Sequence, residues 1–137
     1  MKRLFLVWML CSLILTPALA DQPMEYTYTP QTGALTNYTG PGGEVTIPQE
    51  ILGQPVYQLG DFLFDQSQTM TAVVVPEGVT HIGVNAFYFN QNLQAVTLPD
   101  SLQAVGGYAF FSCTALKELT LPPNLAVIGD NAFASAT

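Results

Sequence analysis

Three stretches of this chain superimpose at a step of 23 residues, and that step restricts the folds open to it more than any other property. Val73-Val74-Val75-Pro76, Val96-Thr97-Leu98-Pro99 and Leu119-Thr120-Leu121-Pro122 fall in register. The same step carries Val79 to Leu102 and Leu125, Ile82 to Val105 and Ile128, and Gly83 to Gly106 and Gly129. It also carries Ala86 to Ala109 and Ala132, and Phe87 to Phe110 and Phe133, while Leu93 matches Leu116. A looser copy comes first, with Val45, Ile47, Pro48, Val56, Leu59, Gly60, Leu63 and Phe64; it carries five extra residues around Gly53-Gln54-Pro55 and places Met70 where later copies have leucine. Self-similarity at one fixed period is the signature of a stacked array. Residues 44–137 therefore read as about four units, the last stopping four residues after Phe133 and expected to be incomplete or frayed.

The residue types explain why the units stack. Leu93, Val96 and Leu98 can turn inward from one strand, which leaves Thr97 facing out by the period of two. Pro99 lacks an amide hydrogen, so it ends the strand's ladder and begins the return path. Gly106 is expected at a tight turn, where positive φ is tolerated. Ala109 and Phe110 follow on a short return segment, and stacking places Phe87, Phe110 and Phe133 in one column. A lone unit buries too little apolar surface to offset the entropy of ordering it, so each must be covered by its neighbours. Residues 21–43 lack the repeat but hold Tyr26, Tyr28, Leu35 and Tyr38, and are expected to cap the first unit, with Gly40-Pro41-Gly42-Gly43 as the turn leading in.

Residues 1–20 have a different character. Lys2 and Arg3 precede an apolar run from Leu4 to Leu15, followed by small residues at Ala18 and Ala20. This order predicts a secretory signal peptide cleaved after Ala20, and the run is too short for a membrane span. All ten acidic side chains lie beyond residue 20, against one basic residue, Lys117. That balance disfavours nucleic acid, whose binding requires Lys and Arg to displace counterions, and equally disfavours anionic lipid. No membrane insertion is expected after cleavage. Cys113 would be the one cysteine left, without a disulfide partner, and small residues fill its column at Ser67 and Ala136 with Asn90 between. It reads as buried filler rather than a reactive thiol.

Catalytic groups do not converge in the sequence. His81 is the only histidine and sits in the column of Ala104 and Val127, which reads as a solvated position. Asp61, Asp65 and Asp130 are scattered carboxylates without the clustering that a metal or glycoside site needs. Asn37-Tyr38-Thr39 matches a glycosylation acceptor, a pattern short enough to arise by chance. No catalytic residue, metal or cofactor is expected. The remaining candidate surface is the outward strand face, a column of Thr46, Val74, Thr97 and Thr120 with Glu44, Ala72, Ala95 and Glu118 beside it and Glu77 and Asp100 near the proline edge. Extended faces of this kind are where solenoids bind, although small β-branched residues also favour strands for their own sake.

The pattern strand-Pro, then apolar-x-x-apolar-Gly-x-x-Ala-Phe-x-x-Cys, as in Leu102 to Cys113, resembles the BspA-like leucine-rich repeat family; so do the insertion at Gly53-Gln54-Pro55-Val56 and Tyr38-Thr39-Gly40. The resemblance runs from Tyr26 to Phe133. It implies a right-handed, mainly β solenoid with a parallel sheet and short helical turns on its outer side. It further implies a secreted or cell-surface protein that is not an enzyme and attaches to a protein or glycan on a host or neighbouring cell. The alternative is a structural spacer or accessory repeat region of a longer extracellular protein or enzyme.

Overall fold

The computed structural model describes residues 25–136, which form a β-solenoid of about four coils. The signal-peptide expectation, with Ala18 and Ala20, lies outside those residues. No helix among them is long and apolar enough to cross a membrane. Each regular coil has a strand side, a proline corner, a second short strand and a long turn. The strand sides are β3 (Gly43–Thr46), β7 (Met70–Val74) and β9 (Ala95–Thr97), paired in parallel in that order. The second strands are β6 (Gln58–Leu59), β8 (His81–Ile82), β10 (Ala104–Val105) and β11 (Val127–Ile128). They extend a sheet that begins with an antiparallel hairpin, β1 (Tyr26–Thr29) and β2 (Ala34–Tyr38), with β2 running parallel to β6. The five-residue insertion becomes a small hairpin of β4 (Glu50–Ile51) and β5 (Gln54–Pro55). Its two turn residues, Leu52 and Gly53, both have positive φ, at 52° and 74°, the hand that closes a two-residue hairpin.

The phenylalanine column is continuous. Ring centroids lie 5.0 Å apart from Phe64 to Phe87, 4.8 Å from Phe87 to Phe110 and 5.4 Å from Phe110 to Phe133, each pair stacked. These distances match the spacing between neighbouring strands. The column runs on into the hairpin: Tyr38 packs 5.1 Å from Phe64, and Tyr26 packs 4.9 Å from Tyr38. Burial falls where no further described coil lies above. Ile82 and Val105 are 2% and 1% exposed, whereas Ile128 in the same column is 50% exposed.

Two sequence expectations are corrected. First, the outer side carries no helical turns among the described residues. Residues 84–89 and 107–112 are successive tight turns in which Asn85, Phe89, Tyr108 and Ser112 hold φ between 56° and 58°. This reversal of hand aims alternate amides at the next coil. Asn85, Phe87 and Phe89 donate to the carbonyls of Gly107, Ala109 and Phe111, and Tyr108, Phe110 and Ser112 donate to Asp130, Ala132 and Ala134, all at 2.7–3.0 Å. A helix would turn those same amides back on its own carbonyls. The left-handed conformation is costly for bulky residues, yet the coil-to-coil ladder requires it.

Second, the glycine column does not serve a turn of positive φ. Gly83, Gly106 and Gly129 have ordinary backbone angles, and what constrains them is proximity. A Cβ on Gly106 would lie 2.6 Å from the Gly83 carbonyl carbon and from the Val84 nitrogen, both backbone atoms of the preceding coil. The missing side chain lets the coils approach.

Cys113 is buried, as expected, and donates its thiol to the Phe87 carbonyl at 3.2 Å. Asn90, one coil earlier in the same column, donates to the Phe64 carbonyl at 2.7 Å. At these two positions the column ties a coil to the phenylalanine carbonyl of the coil before it. Burial pushes the Cys113 thiol from an ordinary 9.0 up to about 11, against a smaller opposing effect of the Asn90 amide.

Gly106→Ala should destabilise the protein by about 1–3 kcal/mol, as overpacking of fixed backbone does, measured by chemical denaturation. Gly107→Ala should cost less, because its Cβ would come no nearer than 3.3 Å to another atom. Cys113 should resist alkylation at pH 8 in the native protein and react fully in denaturant. The sign of its pH effect is fixed: below pH 9 both states hold the proton, whereas between pH 9 and 11 the unfolded state releases it first. Stability should therefore fall across that window relative to Cys113→Ala.

Candidate functional site

The strand side begins with alternation. Val45 and Val73 point into the core, while Thr46, Val74 and Thr97 face solvent. Parallel pairing sets Thr46 beside Val74 and Val74 beside Thr97, with Glu44, Ala72 and Ala95 forming the neighbouring row. Three of the four expected members of each row are therefore brought together. Thr120 and Glu118 are exposed but do not join them, because Lys117 to Leu121 form no strand against β9. Val96 and Leu98 are consequently only half-buried, and Leu121 is 46% exposed. Between the two banks lies an open groove of about 580 Å³, lined by residues within 94–100 and 117–123.

At the proline edge one of the two carboxylates is structural. Both oxygens of Glu77 accept from the coil above, from the Asp100 amide at 3.0 Å and the Ser101 amide at 3.3 Å. Ser101 returns the connection, donating its hydroxyl to the Val79 carbonyl at 2.8 Å and accepting from the Gly78 amide at 3.0 Å. Asn124 donates to the Asp100 carbonyl at 2.8 Å. Glu77 is therefore a bracket between coils, and the Asp100 carboxylate stands beside the groove.

The other candidates remain apart. His81 is exposed, its Nδ1 2.8 Å from the Thr80 hydroxyl. Asp61 accepts from the Val84 amide at 2.8 Å, another coil-to-coil bracket. Asp65, Asp61 and Asp130 are not gathered with other ligands: no group of three or more His, Cys, Asp or Glu side chains able to hold a metal occurs among the described residues. One surface feature went unread in the sequence. Tyr88, Phe89, Tyr108 and Phe111 form an aromatic cluster on the outer turns, with Tyr88 and Phe111 stacked at 5.4 Å. The doubled aromatics Tyr88-Phe89 and Phe110-Phe111 were its signal.

Comparison with known proteins agrees with this geometry. The BspA type leucine rich repeat region matches residues 44–137 in six copies. A leucine-rich repeat protein from Bacteroides capillosus is 31% identical with a TM-score of 0.72, over 84% of this chain and 90% of that one. One from Bacteroides ovatus is 27% identical with a TM-score of 0.72, over 85% of this chain and 33% of that one. The pneumococcal vaccine antigen PcpA is 25% identical with a TM-score of 0.67, over 76% of this chain and 25% of that one. The chain thus spans a third or less of the latter two relatives. No curated protein matches it. On the match over residues 44–137 and the stacked coils that those residues form, the chain belongs to the BspA-type leucine-rich repeat family.

Proposed function

We propose that this protein is an exported, non-catalytic binding module that attaches to a protein or glycan on another cell or its matrix through the strand face. The observation that carries this reading is the outward row Thr46–Val74–Thr97, held in fixed register on a parallel sheet above a packed core. Such a row is rigid, extended and free of the long side chains that lose entropy on docking. The similarity to a pneumococcal vaccine antigen and the signal-like residues 1–20 support a location outside the cell. A structural spacer is the second reading, favoured by the much greater length of the Bacteroides ovatus and pneumococcal relatives.

Export is tested by intact mass. The secreted form should begin at Asp21, and a product retaining Met1 contradicts the assignment. For binding, the purified protein should saturate on at least one of a panel of matrix proteins, glycans and intact cells. Val74→Arg and Thr97→Arg, both on exposed positions, should each weaken that binding at least tenfold while changing stability by no more than about 0.5 kcal/mol. Absence of saturable binding across the panel leaves the spacer.

A further inference from the structure

The coil-to-coil pairing that organises the strand side stops at one place. Among the described residues β9 pairs with β7 alone, and Lys117 to Leu121 neither donate to nor accept from any other backbone group. Two stretches of extended or irregular backbone with open hydrogen-bonding groups therefore flank the groove. Its floor is apolar, where the half-buried Val96 and Leu98 pack on the core. Its rim bears the Asp100 and Glu118 carboxylates against a single cation, Lys117. A free strand edge beside an opening is the template for strand addition, in which backbone bonds supply affinity and alternate side chains supply selectivity.

We propose that this groove captures an extended peptide, which adds to the free edge of β9, sets apolar side chains over Val96 and Leu98, and turns basic side chains toward Glu118 and Asp100. The proposal rests on the strand-face binding reading and names the partner's chemistry. Charge selects among occupants. The chain carries a formal net charge of −7, so a second copy brings repulsion to the same rim, whereas a peptide alternating apolar and basic residues complements it.

The probes are synthetic peptides of alternating valine and lysine, the same length of alternating valine and glutamate, and the valine–lysine peptide N-methylated on alternate residues. Titrated into the full chain, the first should bind at least tenfold more tightly than either of the others. Glu118→Lys should lower its affinity at least threefold, and binding should slow amide exchange at Ala95–Thr97 and Lys117–Leu121 at least tenfold. Equal affinity for the N-methylated peptide overturns strand addition, and equal affinity for the glutamate peptide overturns the charge assignment. Cross-strand contacts between Thr97 and Thr120 in the free protein overturn the proposal, because the groove is then closed by the chain itself. Protection of β9 that appears only with concentration-dependent dimerisation overturns it in favour of a second copy. If no peptide binds while Thr97→Arg still abolishes attachment to a panel member, this inference fails and the binding reading stands. If peptides bind and no panel member does, the groove is upheld and the wider attachment role fails.

Discussion

The coils hold one another by hydrogen bonds that run along the stack, and most other features of the molecule follow from that requirement. An isolated coil of this sequence has few partners of its own for its amides. On the turn side the alternate amides of Asn85, Phe87 and Phe89 reach up to Gly107, Ala109 and Phe111, and on the strand side β7 stands between β3 and β9. For these bonds to form along the whole circuit, consecutive coils must sit at one spacing throughout. The stacked phenylalanines set that spacing from inside, the glycines permit it where backbones come closest, and Glu77, Asp61 and Ser101 fasten it at the edges.

The same requirement explains where the structure is weakest. Ile128 is half exposed although Ile82 and Val105 in its column are sealed, and Leu121 is open where Val75 is buried. Residue type is not the difference, since all are aliphatic. What changes is whether a further described coil lies on the far side. The separation of residues 117–121 from β9 belongs to this weaker end of the described residues, and it converts a stretch that would pair in the middle of the array into one bank of a groove.

Much of this was legible in the sequence because a repeat writes each structural demand several times. Phe87, Phe110 and Phe133 announce their column, and the outward position of Thr97 follows from its inward neighbours. Features that recur as a type, but for a different reason, were misread. Gly106 looks like a turn residue and is in fact a point of contact between coils. The second sheet was hidden because two residues, such as Ala104 and Val105, are too few to display alternation. The reversed hand at Tyr108 and Phe89 could not be read, since neither residue favours it and only the ladder above makes it necessary. On the strand face, the outward alignment of Thr46, Val74 and Thr97 follows from the alternation, but nothing local to Thr120 signals that its strand fails to form, and nothing in Glu77 itself shows that backbone amides of the next coil occupy both its oxygens.

The proposed binding face therefore has a geometry supplied by the stack behind it. Native-state hydrogen exchange tests that dependence most directly. If the coils support each other as described, the Phe64 and Phe87 amides, which lie in different coils and both donate upward, should exchange only through a common opening whose free energy equals that of global unfolding. Rapid exchange at either, or separate opening energies for the two, would show that the coils stand independently and would contradict the account.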